Sequence, residues 1–242
     1  MQTELVAIDS QIWGRNVLNI GEFSSADDIV AHETLYIGQY NPVYVSLAVD
    51  VDDIQCIQRL AHAGFVPVDC QLALRVSFRK TFETTAYRMI YSRVQSPQQL
   101  RQVLDIASEL NFNDRFSKDT VVPPGFASRR YEAYLRQSFN SATDEIWAVV
   151  DPANNQILSF RSHRKVSSSE AQLLLGGVRK DLIGEGLGAI STHFMFNQMI
   201  ASGVKRATTR ISLANKPVFD LEVTHFGFRY QSAKYIFRKH YP

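Results

Sequence analysis

Leu174-Leu175-Gly176-Gly177-Val178-Arg179-Lys180-Asp181-Leu182-Ile183-Gly184-Glu185-Gly186-Leu187-Gly188 is the stretch that decides how this 242-residue chain reads. An apolar run enters it, and Gly184, Gly186 and Gly188 alternate at its end. Ile190, Phe194, Met195 and Met199 then recur at roughly helical spacing up to about Ala201. The segment predicts a strand, a tight turn and a helix. The first N–H groups of such a helix have no carbonyl one turn earlier to bind, and the helix dipole adds partial positive charge there. Glycines remove the side chains that would keep an anion away. The physical expectation is a site for a pyrophosphate or another anion; a strand-to-helix turn without a ligand is the alternative. No Lys-Ser/Thr pair ends the glycines, so this is not a Walker A loop. No βαβ unit with an acidic residue about 20 positions on follows, as a dinucleotide site would need.

Composition narrows the class. Hydrophobic residues make up 45% and charged residues 21%, ordinary for a globular chain. A net charge of +2 gives no argument for nucleic acid. Cys56 and Cys70 are the only cysteines and form no CxxC, which excludes a disulfide framework and points to a reducing cytosol. Met1-Gln2-Thr3-Glu4 does not open a signal peptide. No apolar run is long enough to span a bilayer. The six histidines have no ligand-type spacing among themselves or with cysteine, so no metal site is expected.

Outward from the glycine segment, alternation predicts strands over Val17–Phe23, Pro42–Val49 and Val66–Phe78, with helices opening at Ser24 or Ser25 and spanning Asp50–His62. These make a small N-terminal βαβαβ unit in which both cysteines read as packing residues. The polar stretch Arg79–Thr85 is the expected boundary, giving an N-terminal α/β domain at 1–82 and a second domain at 83–242. There, Met89–Val94 reads as a strand and Pro97–Leu110 as a helix capped by Ser96. A polar loop with aromatics, Asn111–Asp119, precedes a helix over Ala127–Phe139. Three antiparallel strands follow, at Ile146–Val150, Ile157–His163 and Gln172–Val178. After the glycine turn and its helix come a strand at Arg206–Ser212, a short helix from Asn215 to about His225, and a closing strand at Phe228–Phe237.

This order, with two motifs, resembles the GNAT N-acetyltransferase superfamily. Val178, followed by Ile183-Gly184-Glu185-Gly186-Leu187-Gly188, is similar to that superfamily's acetyl-CoA motif, Val-x-x-x-x-Arg/Gln-Gly-x-Gly-x-Gly/Ala. Asn215-Lys216-Pro217-Val218-Phe219-Asp220-Leu221, then Phe226-Gly227-Phe228, is similar to its Asn-x-x-Ala/Val-x-x-Leu-Tyr-x-x-x-Gly-Phe motif. The resemblance covers roughly Thr85 to Pro242. It implies an α/β GNAT fold, with a mixed, splayed central sheet and flanking helices, preceded by the smaller α/β domain. A narrower resemblance is carried by Asp9-Ser10-Gln11-Ile12-Trp13-Gly14 and by Arg115-Phe116-Ser117-Lys118-Asp119. It is to nucleotide-sugar N-acyltransferases such as dTDP-4-amino-4,6-dideoxygalactose (dTDP-fucosamine) acetyltransferase, which carry an extra N-terminal α/β domain.

What these resemblances imply can be written residue by residue. Acetyl-CoA, or another acyl-CoA, is the expected co-substrate. Main-chain N–H groups from Gly184 through Glu185, Gly186, Leu187 and Gly188 to Ala189 would hold its pyrophosphate. The strand edge at Gly176, Gly177 and Val178 would pair with the pantetheine amides, the arm entering where two strands splay apart. Asn215 would bond that arm, or serve as a helix N-cap. Ile183 stands where the motif has Arg/Gln, which costs a side chain but not the main-chain contacts. The acid near the departing sulfur is commonly a Tyr, absent here. Counted from Asn215 its place is Glu222, counted back from Gly227 it is Val223, because this segment has one residue more than the pattern. Glu222 could act only with a raised pKa; a solvated helix carboxylate is the alternative, and His225, Tyr230 and Tyr235 are further candidates. Asn113, Arg115 and Ser117 lie where acceptors enter in this fold, and Arg115 could meet a nucleotide diphosphate or form a surface ion pair. Arg129 and Arg130 with Tyr131 and Tyr134 could stack a base or form an amphipathic core helix. The implied activity is acyl transfer to a nucleotide-linked amino sugar for surface polysaccharide. The rivals are another small-molecule or protein amine, or a module that binds acyl-CoA without turnover. A small-molecule partner is implied, with room for a homodimer and no role for nucleic acid or membrane.

Overall fold

The computed structural model describes residues 2–21, 23, 25–110 and 114–241. Asn113 falls outside them, as do Asn111, Phe112 and Ser24.

The strands are β1 (Thr3–Leu5), β2 (Val17–Ile20), β3 (Tyr44–Asp50), β4 (Val66–Ser77), β5 (Ile90–Arg93), β6 (Asp144–Val150), β7 (Ile157–Lys165), β8 (Glu170–Val178), β9 (Arg206–Ser212) and β10 (Arg229–His240). The helices are α1 (Ala7–Trp13), α2 (Ala26–Ala31), α3 (Glu33–Tyr40), α4 (Ile54–His62), α5 (Pro97–Glu109), α6 (Arg115–Lys118), α7 (Phe126–Phe139), α8 (Leu187–Ala201) and α9 (Lys216–Phe219). All the strands join one mixed sheet in the order β1-β2-β3-β10-β4-β9-β8-β7-β6-β5. The expected boundary at residues 82 and 83 therefore divides no sheet. β4, before it, is hydrogen-bonded between β9 and β10, which come after it. The N-terminal strands do not form a closed βαβαβ layer either: β2 and β3 pair in parallel, but β10 stands between β3 and β4.

Local chemistry explains the elements that matter for the site. Ser96 accepts from the Gln99 N–H, the Gln99 side chain returns to the Ser96 N–H, and Pro97 opens the helix, so α5 starts sharply. Asp53 caps α4 through the Cys56 N–H at 3.0 Å. The Asp9–Gly14 segment is α1, closed by Gly14 in the left-handed conformation at φ 76°. Alternation along β6 sends Ile146, Ala148 and Val150 to a core shared with α5 and α7, and Val149 to a core shared with Leu187 of α8. Those helices thus cover opposite faces of the sheet. Cys56 is buried and Cys70 half-buried, both as free thiols. No helix of the described residues is long and apolar enough to cross a membrane.

Candidate acyl-transfer site

β8 and β9 make the opening. They pair in parallel only at Glu170–Gln172 against Arg206–Thr208, where Arg206 also bonds Glu170 at 2.8 Å. Beyond Gln172 their ladder stops, while β8 stays bonded to β7 as far as Val178. A bulge opposite Ser162 bends β8 at this point; the Ser162 hydroxyl accepts from the Leu175 N–H (2.9 Å) and donates to its carbonyl (3.0 Å). The Gly176–Val178 edge facing β9 is left without a strand partner. An extended amide chain could bond there, as the sequence motif leads one to expect.

The glycines along this path serve different ends. Gly177 faces α5, and a Cβ there would lie 2.3 Å from Leu110 Cδ1 and 2.8 Å from Phe160 Cε1, so it is a packing glycine. Gly176 faces the other way, under the Arg161 side chain. Gly184 and Gly186 have φ of 100° and 78°, a backbone that other residues adopt only with strain, and open space lies over both. Gly186 precedes α8, so the first N–H groups of the helix face outward. Glu185 spends its N–H on the Leu182 carbonyl (3.3 Å) and Ala189 on the Gly186 carbonyl (3.0 Å). The set of unspent N–H groups is therefore narrower than the motif: Gly184, Gly186, Leu187 and Gly188 keep N–H groups with no acceptor among the described residues. Ile183 is 61% exposed and Leu187 is buried, anchoring the turn.

Next to this loop a cavity of about 240 Å³ occupies the gap between β8 and β9. Leu173–Gly176 line one wall and Thr209–Ser212 another, with Asn215 and Glu222 closing it. Asn215 makes no capping hydrogen bond, so its amide is not spent on α9. Residues Asp220–His225 form a π-helical turn. That wider turn absorbs the one residue by which this segment exceeds the motif. It aims Glu222 into the cavity, while Val223 packs against an apolar cluster. Glu222 is 5% exposed, and its Oε2 has no hydrogen-bond partner among the described residues. Burial pushes its carboxyl up to about 7, against the opposing pull of Arg161. His225, Tyr230 and Tyr235 are exposed and outside the cavity lining.

The far end of the cavity is built from side chains of distant segments. α6 is pinned by Asp119, which receives two bonds from Arg238 of β10 (3.0 and 3.2 Å) and one from the Tyr44 hydroxyl of β3 (3.3 Å). That anchoring turns Arg115 into the cavity. Its Nε is buried without a partner among the described residues, and burial lowers its affinity for the proton. A guanidinium so placed, with no ion pair among those residues, is costly unless an anion arrives. Ser117 does not reach the cavity: it is exposed and completes a capping box with Asp114. Arg130 is engaged as well, bonded to Asp9 of α1 at 2.8 Å and lying 4.0 Å over the Phe116 ring. That leaves no support for base stacking by Arg130. The residues that sequence reasoning missed are Asp69 and Gln71 of β4, Arg161 of β7 and Arg210 and Ser212 of β9. Asp69 accepts from the Ser212 hydroxyl at 2.6 Å and from Gln71 at 3.4 Å. No local pattern marks them, because each sits in an ordinary strand. No group of three or more metal-ligating side chains occurs among the described residues.

No family model matches the chain, and no curated protein matches it. Solved structures do. A GCN5-related N-acetyltransferase from Sphaerobacter thermophilus is similar over 93% of this chain and 73% of its own, with a TM-score of 0.66 at 10% identity. A tandem GNAT protein from the clavulanic acid biosynthesis pathway is similar over 88% of this chain and 69% of its own (TM-score 0.62, 11% identity). A GCN5-related N-acetyltransferase from Kribbella flavida is similar over 93% and 81% (TM-score 0.60, 10% identity). At such identities the likeness is one of fold, and the fold of this chain is that of the GNAT N-acetyltransferases.

Proposed function

We propose that this protein is an acyl-CoA-dependent N-acyltransferase, with acetyl as the simplest acyl group, acting on an amine whose acceptor also carries an anionic group. The observation that carries the reading is Glu222, a buried carboxyl near neutrality at the gap between β8 and β9. The free β8 edge and the unspent N–H groups at Gly184, Gly186, Leu187 and Gly188 suit pantetheine and pyrophosphate. Asn215 has an amide free to bond the arm.

In this reading the acceptor amine attacks the thioester carbonyl directly. Asp69, held by Ser212 and Gln71, is the carboxylate that takes the proton the incoming ammonium must lose before its nitrogen bonds the carbonyl carbon; the second N–H proton, shed as the C–S bond breaks, replaces the one that Glu222 gives to the sulfur. Glu222, protonated, delivers its proton to the departing sulfur. Its elevated pKa keeps a large share of the carboxyl protonated at neutral pH, which an ordinary glutamate would not do. Arg115 meets the anionic group of the acceptor.

For the acceptor we place nucleotide-linked amino sugars first, since a diphosphate answers the unpaired Arg115. The cavity admits the sugar, and the nucleotide would run outside it. Release of free thiol from acetyl-CoA, measured with a panel of nucleotide amino sugars beside simple amines, tests both levels. Release that depends on a nucleotide amino sugar supports the full reading. Release with anionic amines of another kind keeps the enzyme and replaces the acceptor. Tight calorimetric binding of acetyl-CoA with no release from any amine would make the chain a binding module.

A further inference from the structure

Arg161 is the one cavity arginine whose side chain is clamped to the glycine-turn helix. It leaves β7 directly opposite Gly176 of β8 and lies flat across it; a Cβ at Gly176 would sit 2.6 Å from both Arg161 Cδ and Nη1. It then reaches the first turn of α8, where Nη2 donates to the Gly188 carbonyl at 3.0 Å and Nε to the Ser191 hydroxyl at 3.3 Å. It forms no ion pair among the described residues. The acidic group whose charge it senses is Glu222; the nearby Tyr91 phenol is kept protonated by burial. A half-buried guanidinium without a carboxylate partner carries an uncompensated desolvation cost.

Glu222 supplies the counterpart. Charged groups surround the cavity on several elements: Asp69 on β4, Asp114 at the start of α6 and Arg115 within it, Arg130 on α7, Arg210 on β9. Glu222 lines the same cavity as Arg161, with its Oε2 unpartnered among the described residues, and among the charged groups around it Arg161 is the one whose field opposes the effect of burial on its carboxyl.

We infer that Arg161 is a positioning residue for Glu222: carried across Gly176 and clamped to α8, it supplies the fixed positive charge that lets the buried carboxyl lose and regain its proton. Burial alone would hold the proton on Glu222 and stop it from passing to the departing sulfur. Gly176 is then needed for the passage of Arg161 as well as for the strand edge. The inference rests on the reading of Glu222 as the proton donor in acyl transfer.

The test is a titration of the ligand-free, full-length protein labelled with carboxyl-13C glutamate, Glu222 being identified by the resonance that Glu222→Gln removes. Arg161→Gln should move the Glu222 midpoint upward by about one pH unit, a tenfold change in its ionisation equilibrium. Arg161→Lys, which keeps the charge, should restore most of that shift. An unchanged midpoint in folded Arg161→Gln overturns the inference. Should Arg161→Gln fail to fold, Gly176→Ala decides instead, because it displaces the guanidinium without altering either charged residue: an upward shift supports the coupling, and no shift overturns it. The alkaline limb of kcat/KM should move with the midpoint. Since the titration needs no turnover, a shifted midpoint in a protein that releases no thiol would refute acyl transfer while supporting the Arg161–Glu222 coupling. Normal turnover with an unmoved midpoint would do the reverse.

Discussion

From Gly184 to Gly188 a ligand is offered main-chain N–H groups by near neighbours in one loop. At the far end of the adjoining cavity the offered groups are Asp69 of β4, Arg115 of α6 and Arg210 of β9, side chains that meet only because three distant segments are packed together. The difference teaches why one half of the site is visible in the chain and the other is not. Main-chain recognition needs particular backbone angles, and these leave a written trace, since Gly184 and Gly186 have positive φ. Side-chain recognition needs only that a residue sit on the right face of its element, and an Asp in a strand looks like any other.

Glu222, where the two ends meet, should give the largest effect. Glu222→Gln should lower kcat by about a thousandfold, within the range of lost acid–base catalysis, and leave acyl-CoA affinity unchanged. Steady-state kinetics beside calorimetry reads both. A comparable loss of affinity would assign Glu222 to the donor end instead. The same residue predicts a pH dependence of stability. Its folded-state pKa is raised from 4.5 to about 7, so the folded chain holds a proton that the unfolded chain has released. The stabilisation is complete below the unfolded value and is lost as pH rises through the folded one, by about 3 kcal/mol in all. Denaturant unfolding across pH 4 to 8 should show this decline, flattened in Glu222→Gln.

Gly186→Glu should weaken CoA binding about a hundredfold through like charge and bulk at the pyrophosphate. Gly186→Ala carries the cost of φ alone and should lose only about 1 kcal/mol of stability. Equal affinities for the two variants would remove the anion from this turn. On the acceptor side, Arg115→Ala should raise KM for an anionic acceptor about ten- to a hundredfold with CoA affinity intact. Arg115→Lys should recover only part, because it lacks the planar fork. The smallest effect on ligands is expected at Gly177→Ala, which overpacks Leu110 and Phe160 and should cost about 1–3 kcal/mol of stability without altering ligand affinity in the folded protein.

The strands and helices around the glycine turn were legible because their periodicities are strong and their caps carry chemistry, as with Ser96 and Pro97 of α5. α1 leaves little trace in sequence: it is short, and Val6 gives it no side-chain cap. The Asn215–Gly227 segment showed a surplus residue but not where it went. A π turn hides in sequence as a miscount, and packing against the core chose Val223 for the inside and Glu222 for the cavity. Ser117 and Arg130 had suitable chemistry for a ligand, but hydrogen bonds within the chain had already engaged them.

By itself, then, the sequence determined the glycine turn, the strand order around it and the superfamily resemblance, since each rests on local backbone demands written in consecutive residues. Only the tertiary structure decided that β4 enters the sheet between β9 and β10, that Arg161 crosses Gly176, and that Glu222 is buried with a carboxyl near neutrality. These are consequences of burial and long-range pairing, and desolvation of a carboxyl depends on every atom that keeps water away from it.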